Sequence, residues 1–224
     1  MGNAIFPAIA GGLSWTVSKT PTHKTLIQES TAAGYDTRVL LAPDPIWKLK
    51  LEYVILYGDQ RNTIKQLESF FNLRHGNYDS FRVSLANLTK NNNDSTVTGQ
   101  LLVPDASGYA PLAVASQVGG EIYSENIYEL NGTPQLYMAG GSPPGPPILL
   151  VPGTDYNIIG PGVALPGVTY PGLVAQIIKT IAGPITANFS WYYRMRFEQS
   201  EQELEQFLYL LWRAKTVQLI GSRT

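Results

Sequence analysis

The sequence has no cysteine and only two histidines, His23 and His75. Thiolate chemistry and a disulfide frame are therefore excluded, and a zinc site would lack its usual soft ligands. Any metal would have to be held by carboxylates alone, and no cofactor is expected. Charge is also scarce, at 15% of 224 residues, against roughly a quarter in ordinary soluble domains. The formal net charge is −1 and the isoelectric point about 6.1, so no global positive field gathers phosphates or anionic headgroups. Nucleic-acid specificity is not expected. Apolar runs such as Ile148 to Val151 and Leu208 to Trp212 fall far short of the ~18 residues of a membrane-spanning helix, so membrane insertion is not expected either. The start, Met1-Gly2-Asn3-Ala4-Ile5-Phe6, lacks a basic region followed by an apolar one, and Phe6 stands where a myristoylation signal wants Ser or Thr. Neither export nor lipid anchoring is expected.

What the chain does have is 21 Gly, 16 Pro and 44% hydrophobic residues. That composition favours a turn-rich, mostly β soluble protein over a helical bundle, with one sizeable core or two small ones. Positions 101–186 hold 25 of the Gly and Pro residues but only six charges, Asp105, Glu121, Glu125, Glu129, Asp155 and Lys179. We read 101–186 as an inserted Gly/Pro-rich β domain, resembling a small sandwich, whose sparse charge suits surfaces covered by neighbours. Residues 1–100 and 187–224 then make one discontinuous α+β domain.

In the first flank, Leu51, Tyr53, Ile55 and Tyr57 alternate with Glu52, Val54 and Leu56, which fits a central strand. Asp59 offers an N-cap, and Ile64, Leu67, Phe70 and Phe71 follow at helical spacing until Gly76 stops the helix. Tyr78 to Leu85 reads as a strand with Phe81 and Val83 inward and Arg82 outward. In the second flank, Trp191, Tyr193, Met195 and Phe197 alternate with Tyr192, Arg194 and Arg196, predicting one half-buried strand over Asn188 to Phe197. Ser200 and Glu203 form a capping-box pair ahead of Leu204, Phe207, Leu208, Leu211 and Trp212, which predicts a second helix. A strand from Thr216 to Ile220 closes the chain. Strand, helix and strand thus occur on both sides of the insert, a weak repeat or simply a common β-α-β habit. Within the insert, strands are expected at Glu121 to Leu130 and Gln135 to Ala139 about an Asn131-Gly132 turn, then at Ile148 to Val151 and Tyr156 to Ile159. Ser142 to Pro147 is expected to be an extended exposed loop, with a recognition segment as the alternative.

Catalytic signatures are absent. The chain contains neither Gly-x-Ser-x-Gly nor Gly-x4-Gly-Lys-Ser/Thr, so serine hydrolysis and P-loop phosphate chemistry have no motif to stand on. Gly140-Gly141 and Gly160-Pro161-Gly162 read as turns. Asp36, Asp44, Asp79 and Asp155 sit in turn contexts, where capping outweighs a glycosidase pair. His75 is read as a structural cap at the helix end. The four Asn-x-Ser/Thr sequences, at Asn87, Asn93, Asn131 and Asn188, are assigned no function. The aromatic and Arg alternation after Trp191 is read as a core side plus an interface side, in preference to a base-stacking platform.

Several segments together resemble a known family. They are Phe6-Pro7, the strand Leu51 to Tyr57, Phe70-Phe71 with Arg74-His75-Gly76, Phe81-Arg82, and Arg194-Met195-Arg196-Phe197. In the insert, Glu125 to Tyr128, Asn131 to Pro134 and Gly153 to Tyr156 add to the likeness. In this pattern the chain resembles the distal tail proteins of long-tailed phages and gene transfer agents, although Ser84-Leu85 stands where that family commonly has Lys-Asp. The resemblance implies a non-enzymatic ring, normally a hexamer, made in the host cytoplasm and built into the virion at the distal end of the tail. There it would join the tail tube protein to the tail hub or baseplate protein, with the tape measure protein as a further neighbour. Arg82, Arg194 and Arg196, opposite the core on their strands, are the expected interface residues. The alternatives are a carbohydrate-binding module formed by residues 101–186, with tyrosines as stacking surfaces, and a carboxylate-dependent wall hydrolase using Asp36, Asp44 or Asp155.

Overall fold

The computed structural model describes residues 3–9, 13–29, 36–42, 44–88, 95–139, 146–162, 164–165, 168–180 and 183–222. Over these residues the protein is mostly β, with one helix of three turns and a single short helical turn at Leu85–Leu88. Most of the expected Ser142 to Pro147 loop and the Gly140-Gly141 turn lie outside the described residues. The chain divides into two compact units, Met1–Val83 with Tyr193–Thr224, and Ser84–Tyr192. The composition steps near residues 100 and 187 both fall inside the second unit.

The first unit is built on a six-stranded sheet. Its strands run Leu13–Thr22, Ile46–Tyr57, Leu211–Gly221, Tyr193–Phe197 and Phe81–Val83, and Glu205–Leu208 pairs alongside Leu211–Gly221. All these pairs are antiparallel. Beyond Phe81–Val83, Ile5 adds a parallel bridge to Arg82. Strand alternation sends Leu49, Leu51, Tyr53, Phe81, Val83, Tyr193, Met195, Phe197, Val217 and Leu219 to one face, where all are buried. The helix Thr63–Leu73 contributes Ile64 and Leu67 to that core. Phe70 meets Phe81 at 5.0 Å and Phe6 at 5.4 Å, while Phe197 lies 5.0 Å from Phe81 and 4.9 Å from Phe71. Such edge-on and tilted pairs each contribute about 1 kcal/mol beyond burial.

The helix begins differently from the expectation. Asp59 does not cap it: the Asp59 carboxylate accepts the backbone amide of Arg61 at 3.0 Å and is gripped by the same residue's guanidinium. Arg61 in turn stacks on the Tyr57 ring, 3.3 Å from its centroid. With Asp59 held in its own turn, Asn62 enters at φ 53 without a side-chain cap, and the helix starts at Thr63. It stops as expected: His75 and Gly76 both have positive φ. A β-carbon on Gly76 would lie 3.2 Å from the Ser200 carbonyl, so this position demands glycine twice over.

The second helix predicted over Leu204 to Trp212 does not form. Glu205–Leu208 and Leu211–Gly221 make a hairpin, and the latter strand fills the slot between Ile46–Tyr57 and Tyr193–Phe197. Phe207-Leu208-Tyr209-Leu210-Leu211-Trp212 is apolar throughout, so its helical spacing was not diagnostic, and the sheet's open slot decided the outcome. Ser200 and Glu203 accordingly belong to an irregular connection that contains no helix. The strand predicted for Tyr78 to Leu85 shrinks to Phe81–Val83. The single strand expected from Asn188 to Phe197 is two, Ile185–Ser190 in the second unit and Tyr193–Phe197 in the first.

In the second unit, one sheet runs Ile148–Leu149, Gln135–Met138, Ile185–Ser190, Thr96–Leu102, and a three-stranded sheet runs Tyr156–Ile159, Val174–Ile177, Tyr109–Pro111. Leu102, Leu136, Met138, Tyr156, Val174, Ile177, Ile185 and Phe189 are buried. The Asn131-Gly132 hairpin is not formed. Glu121–Asn126 pairs instead with Ala113–Val118 across Gly119-Gly120, whose φ values of 61° and 88° suit the primed turn that a two-residue hairpin requires. Asn131 donates its amide to the Ser190 carbonyl, which ties this segment to the strand that later pairs with Gln135–Met138.

Two substitutions check this account. Phe81→Ala should cost about 3–5 kcal/mol in urea unfolding, because it empties the centre of the phenylalanine cluster. Leu210, at φ 58 in the hairpin turn, is in a conformation that costs a branched residue about 1 kcal/mol, so Leu210→Asn should raise the melting temperature.

Candidate functional site

The face of the large sheet opposite the core collects cations, and the ladder shows why. Arg194 pairs directly with Arg82. Two residues on, Arg196 pairs with Ile220, which pairs with Lys48. Lys50 pairs with Gln218 in the same sheet. Because side chains alternate, these positions share one face, so the three arginines predicted as interface residues stand together with two lysines. Arg82, Arg194, Arg196 and Lys48 are half-buried and Lys50 is exposed. Two carboxylates lie near these cations in sequence: Glu198, which follows Tyr193–Phe197 and stands 2.5 Å from the Lys48 ammonium, and Glu52 on the strand that carries Lys48 and Lys50. Five of the chain's 16 basic residues thus share one face of a molecule whose net charge is −1.

On the core side, Lys19 donates to the Tyr193 hydroxyl at 2.9 Å and lies 4.0 Å above the Trp47 ring. Tyr53 is buried, and burial pushes its phenol well above the ordinary tyrosine range. It serves the core, since a group so reluctant to ionise is a poor base at neutral pH.

The carboxylates considered for hydrolysis are engaged locally. Asp36 is bonded by Arg38 two residues along its strand, and Asp79 faces Arg74 at 3.7 Å. Asp155 accepts the Val151 amide and lies 3.5 Å from Lys179. Asp44 is buried at 6% exposure. Among the described residues no group of three or more His, Cys, Asp or Glu is arranged to hold a metal ion. His75 is exposed beside a shallow, open depression lined also by Ser69, Asn72 and Leu73.

With this geometry established, sequence comparison adds no relative. No protein-family model matches the chain, and no curated protein matches it.

Two features of the first unit escaped the sequence reading. Thr25–Glu29 and Asp36–Leu40 form a two-stranded antiparallel ribbon. Leu26 and Val39 lie across from each other on one face, and Ile27 and Leu40 occupy the other, all between 46% and 57% exposed. The hairpin turn at the other end of the chain is also apolar, with Tyr209 at 86% exposure. The signal for the ribbon was present as two β-prone runs flanking Ala32-Ala33-Gly34, but alternation alone does not say that neither face will be covered.

In the second unit, the Tyr170 hydroxyl donates to Asp105, whose other oxygen accepts the amides of Ser107 and Tyr109. The Tyr170 bond first, and the backbone amides next, hold the Asp105 carboxyl below the usual carboxylate range. A depressed folded pKa stabilises at pH above the unfolded value, and that contribution is lost as pH falls through the folded one. Tyr170→Phe should therefore lower the melting temperature at neutral pH, and its deficit should narrow in acid.

Proposed function

We propose that the protein is a structural assembly subunit, and specifically a distal tail adaptor whose copies form a ring between the tail tube and the hub or baseplate of a phage-like particle. The observation that carries this reading is the ribbon Thr25–Glu29/Asp36–Leu40. A two-stranded hairpin is marginal in water unless a further surface covers it, and this one exposes Leu26 and Val39 on one side, Ile27 and Leu40 on the other. An arm with apolar side chains on both faces suits a chain that completes its burial against a neighbour. The low charge content, the cationic sheet face and the resemblance to distal tail proteins support the same reading. Hexameric order, the tube, hub and tape measure proteins as partners, and a place in the virion come with that resemblance.

A carbohydrate-binding role for the second unit is the weaker reading. On the open face of its larger sheet, Leu149, Tyr137, Thr186 and Leu101 stand in one row. That row has one aromatic ring, whose hydroxyl is bonded to Gln135, whereas sugar-stacking faces rely on aromatic surface.

Native mass spectrometry and electron microscopy of the purified protein, alone and with a tail tube protein, should show closed rings. Leu26→Ser with Val39→Ser should abolish them while leaving the monomer's unfolding midpoint nearly unchanged. A wild-type chain that stays monomeric in both settings would overturn the reading, as would turnover of peptidoglycan that is lost on changing Asp36, Asp44 or Asp155.

A further inference from the structure

Asn131-Gly132 does not make the hairpin turn that its sequence favours, and nothing in the assembly reading uses it. It is the chain's single Asn-Gly pair, since every other asparagine precedes a residue that carries a side chain. Its main chain is tied to Ser190 at two points. The Asn131 amide donates to the Ser190 carbonyl at 2.8 Å, and the Ser190 hydroxyl donates to the Asn131 carbonyl at 2.7 Å. Leu130 bridges Trp191, and the Tyr192 amide donates to the Glu129 carbonyl, so residues 129–131 and 190–192 form one joint of the second unit. The reactive half of the pair is left open. Among the described residues, neither the Asn131 side-chain amide nor the Gly132 N–H makes a hydrogen bond. Gly132 is exposed at φ 91, and even a β-carbon there would meet nothing within 4 Å.

We propose that Asn131-Gly132 is a site of covalent self-modification, at which Asn131 becomes aspartate and isoaspartate through an internal imide, promoted by the Ser190 hydroxyl. This goes beyond the assembly reading and does not rest on it. The Gly132 N–H gives its proton to a hydroxide ion of the solvent, and the nitrogen attacks the carbonyl carbon of the Asn131 side chain. The bond from that carbon to the side-chain nitrogen breaks. Ammonia leaves with a proton taken from water, and a five-membered imide remains. Water then opens the ring, at the side-chain carbonyl to give aspartate or at the main-chain carbonyl to give isoaspartate. Ser190 acts on the first step. Its hydroxyl donates to the oxygen of the very peptide unit whose nitrogen must lose a proton, and resonance spreads the resulting negative charge onto that oxygen, where a donor stabilises it. Isoaspartate adds a methylene to the main chain and takes out of it the carbonyl that Ser190 holds. The joint at 129–131 therefore loosens, and the second unit gains a negative charge.

The full-length chain is incubated folded in mildly alkaline buffer, sampled over days, digested and mapped by chromatography and mass spectrometry. The peptide carrying Asn131 should acquire the amide-to-acid mass change and split into two products, isoaspartate the larger, ahead of every other asparagine peptide. Ser190→Ala should slow the conversion about two- to tenfold, the net effect of one hydrogen bond expressed as a rate. Ser190→Thr should keep the wild-type rate, and in urea all three chains should convert alike. Melting curves verify folding. If Ser190→Ala does not fold, folded wild type is compared with the same chain in urea, and the folded chain should convert faster. The proposal is overturned if Asn131 stays intact or lags behind the other asparagines. It is equally overturned if folded Ser190→Ala matches or outpaces wild type, or if folding slows the wild type in the substitute comparison, because the Ser190 bond then only restrains the peptide.

Discussion

The first unit depends on one strand finding its slot. Leu211–Gly221, the last element of the chain, lies between Ile46–Tyr57 and Tyr193–Phe197, and Ala214, Val217 and Leu219 are each at most 2% exposed. Without it the sheet falls into two separate pieces, and the phenylalanine cluster loses its floor. The pairing joins residues more than 150 positions apart in sequence, so the loop-closure entropy is met only once the whole chain is available. Register is equally constrained. A slip of one residue along Tyr193–Phe197 would turn Arg194 and Arg196 into the core and expel Tyr193, Met195 and Phe197.

The strands that carry the core were legible from their residues. Met195 and Phe197 alternate with Arg194 and Arg196, so period two is visible directly there, whereas Leu51 to Tyr57 was legible as a strand because it is β-prone and apolar on both faces. The helix was legible from Ile64, Leu67, Phe70 and Phe71, and its end from Gly76. The C-terminal hairpin was not, because six consecutive apolar residues satisfy any period. The Asn131-Gly132 turn misled for a related reason. A dipeptide states a local preference, while the partner of Gln135–Met138 lies some 50 residues downstream in Ile185–Ser190, where only the assembled sheet decides. The arginines were identified by the face they occupy. The two lysines that join them come from Ile46–Tyr57, on the far side of Leu211–Gly221, and it takes the ladder to align them.

Many of the exposed apolar side chains of the first unit lie on the ribbon around Leu26 and Val39 and at the hairpin turn around Tyr209, with Ile5, Val54, Leu73 and Tyr78 exposed elsewhere. Ribbon and turn both belong to β-hairpins, which present side chains on two sides and can therefore be gripped between neighbours. A surface with few charges and two such arms is costly for an isolated subunit and consistent with one that spends its working life in contact with others.

The point at which the second unit leaves the first is itself informative. Val83 and Tyr193 are directly paired across adjacent antiparallel strands, so their α-carbons lie roughly 5 Å apart. Everything from Ser84 to Tyr192 is, in geometric terms, an enlarged loop between two neighbouring strands of a sheet that is complete without it. Such an architecture lets evolution treat the intervening segment as an exchangeable cassette: it can be lengthened, replaced or pared to a short turn while the ladder beneath keeps its register, and the two parts are free to diverge at different rates.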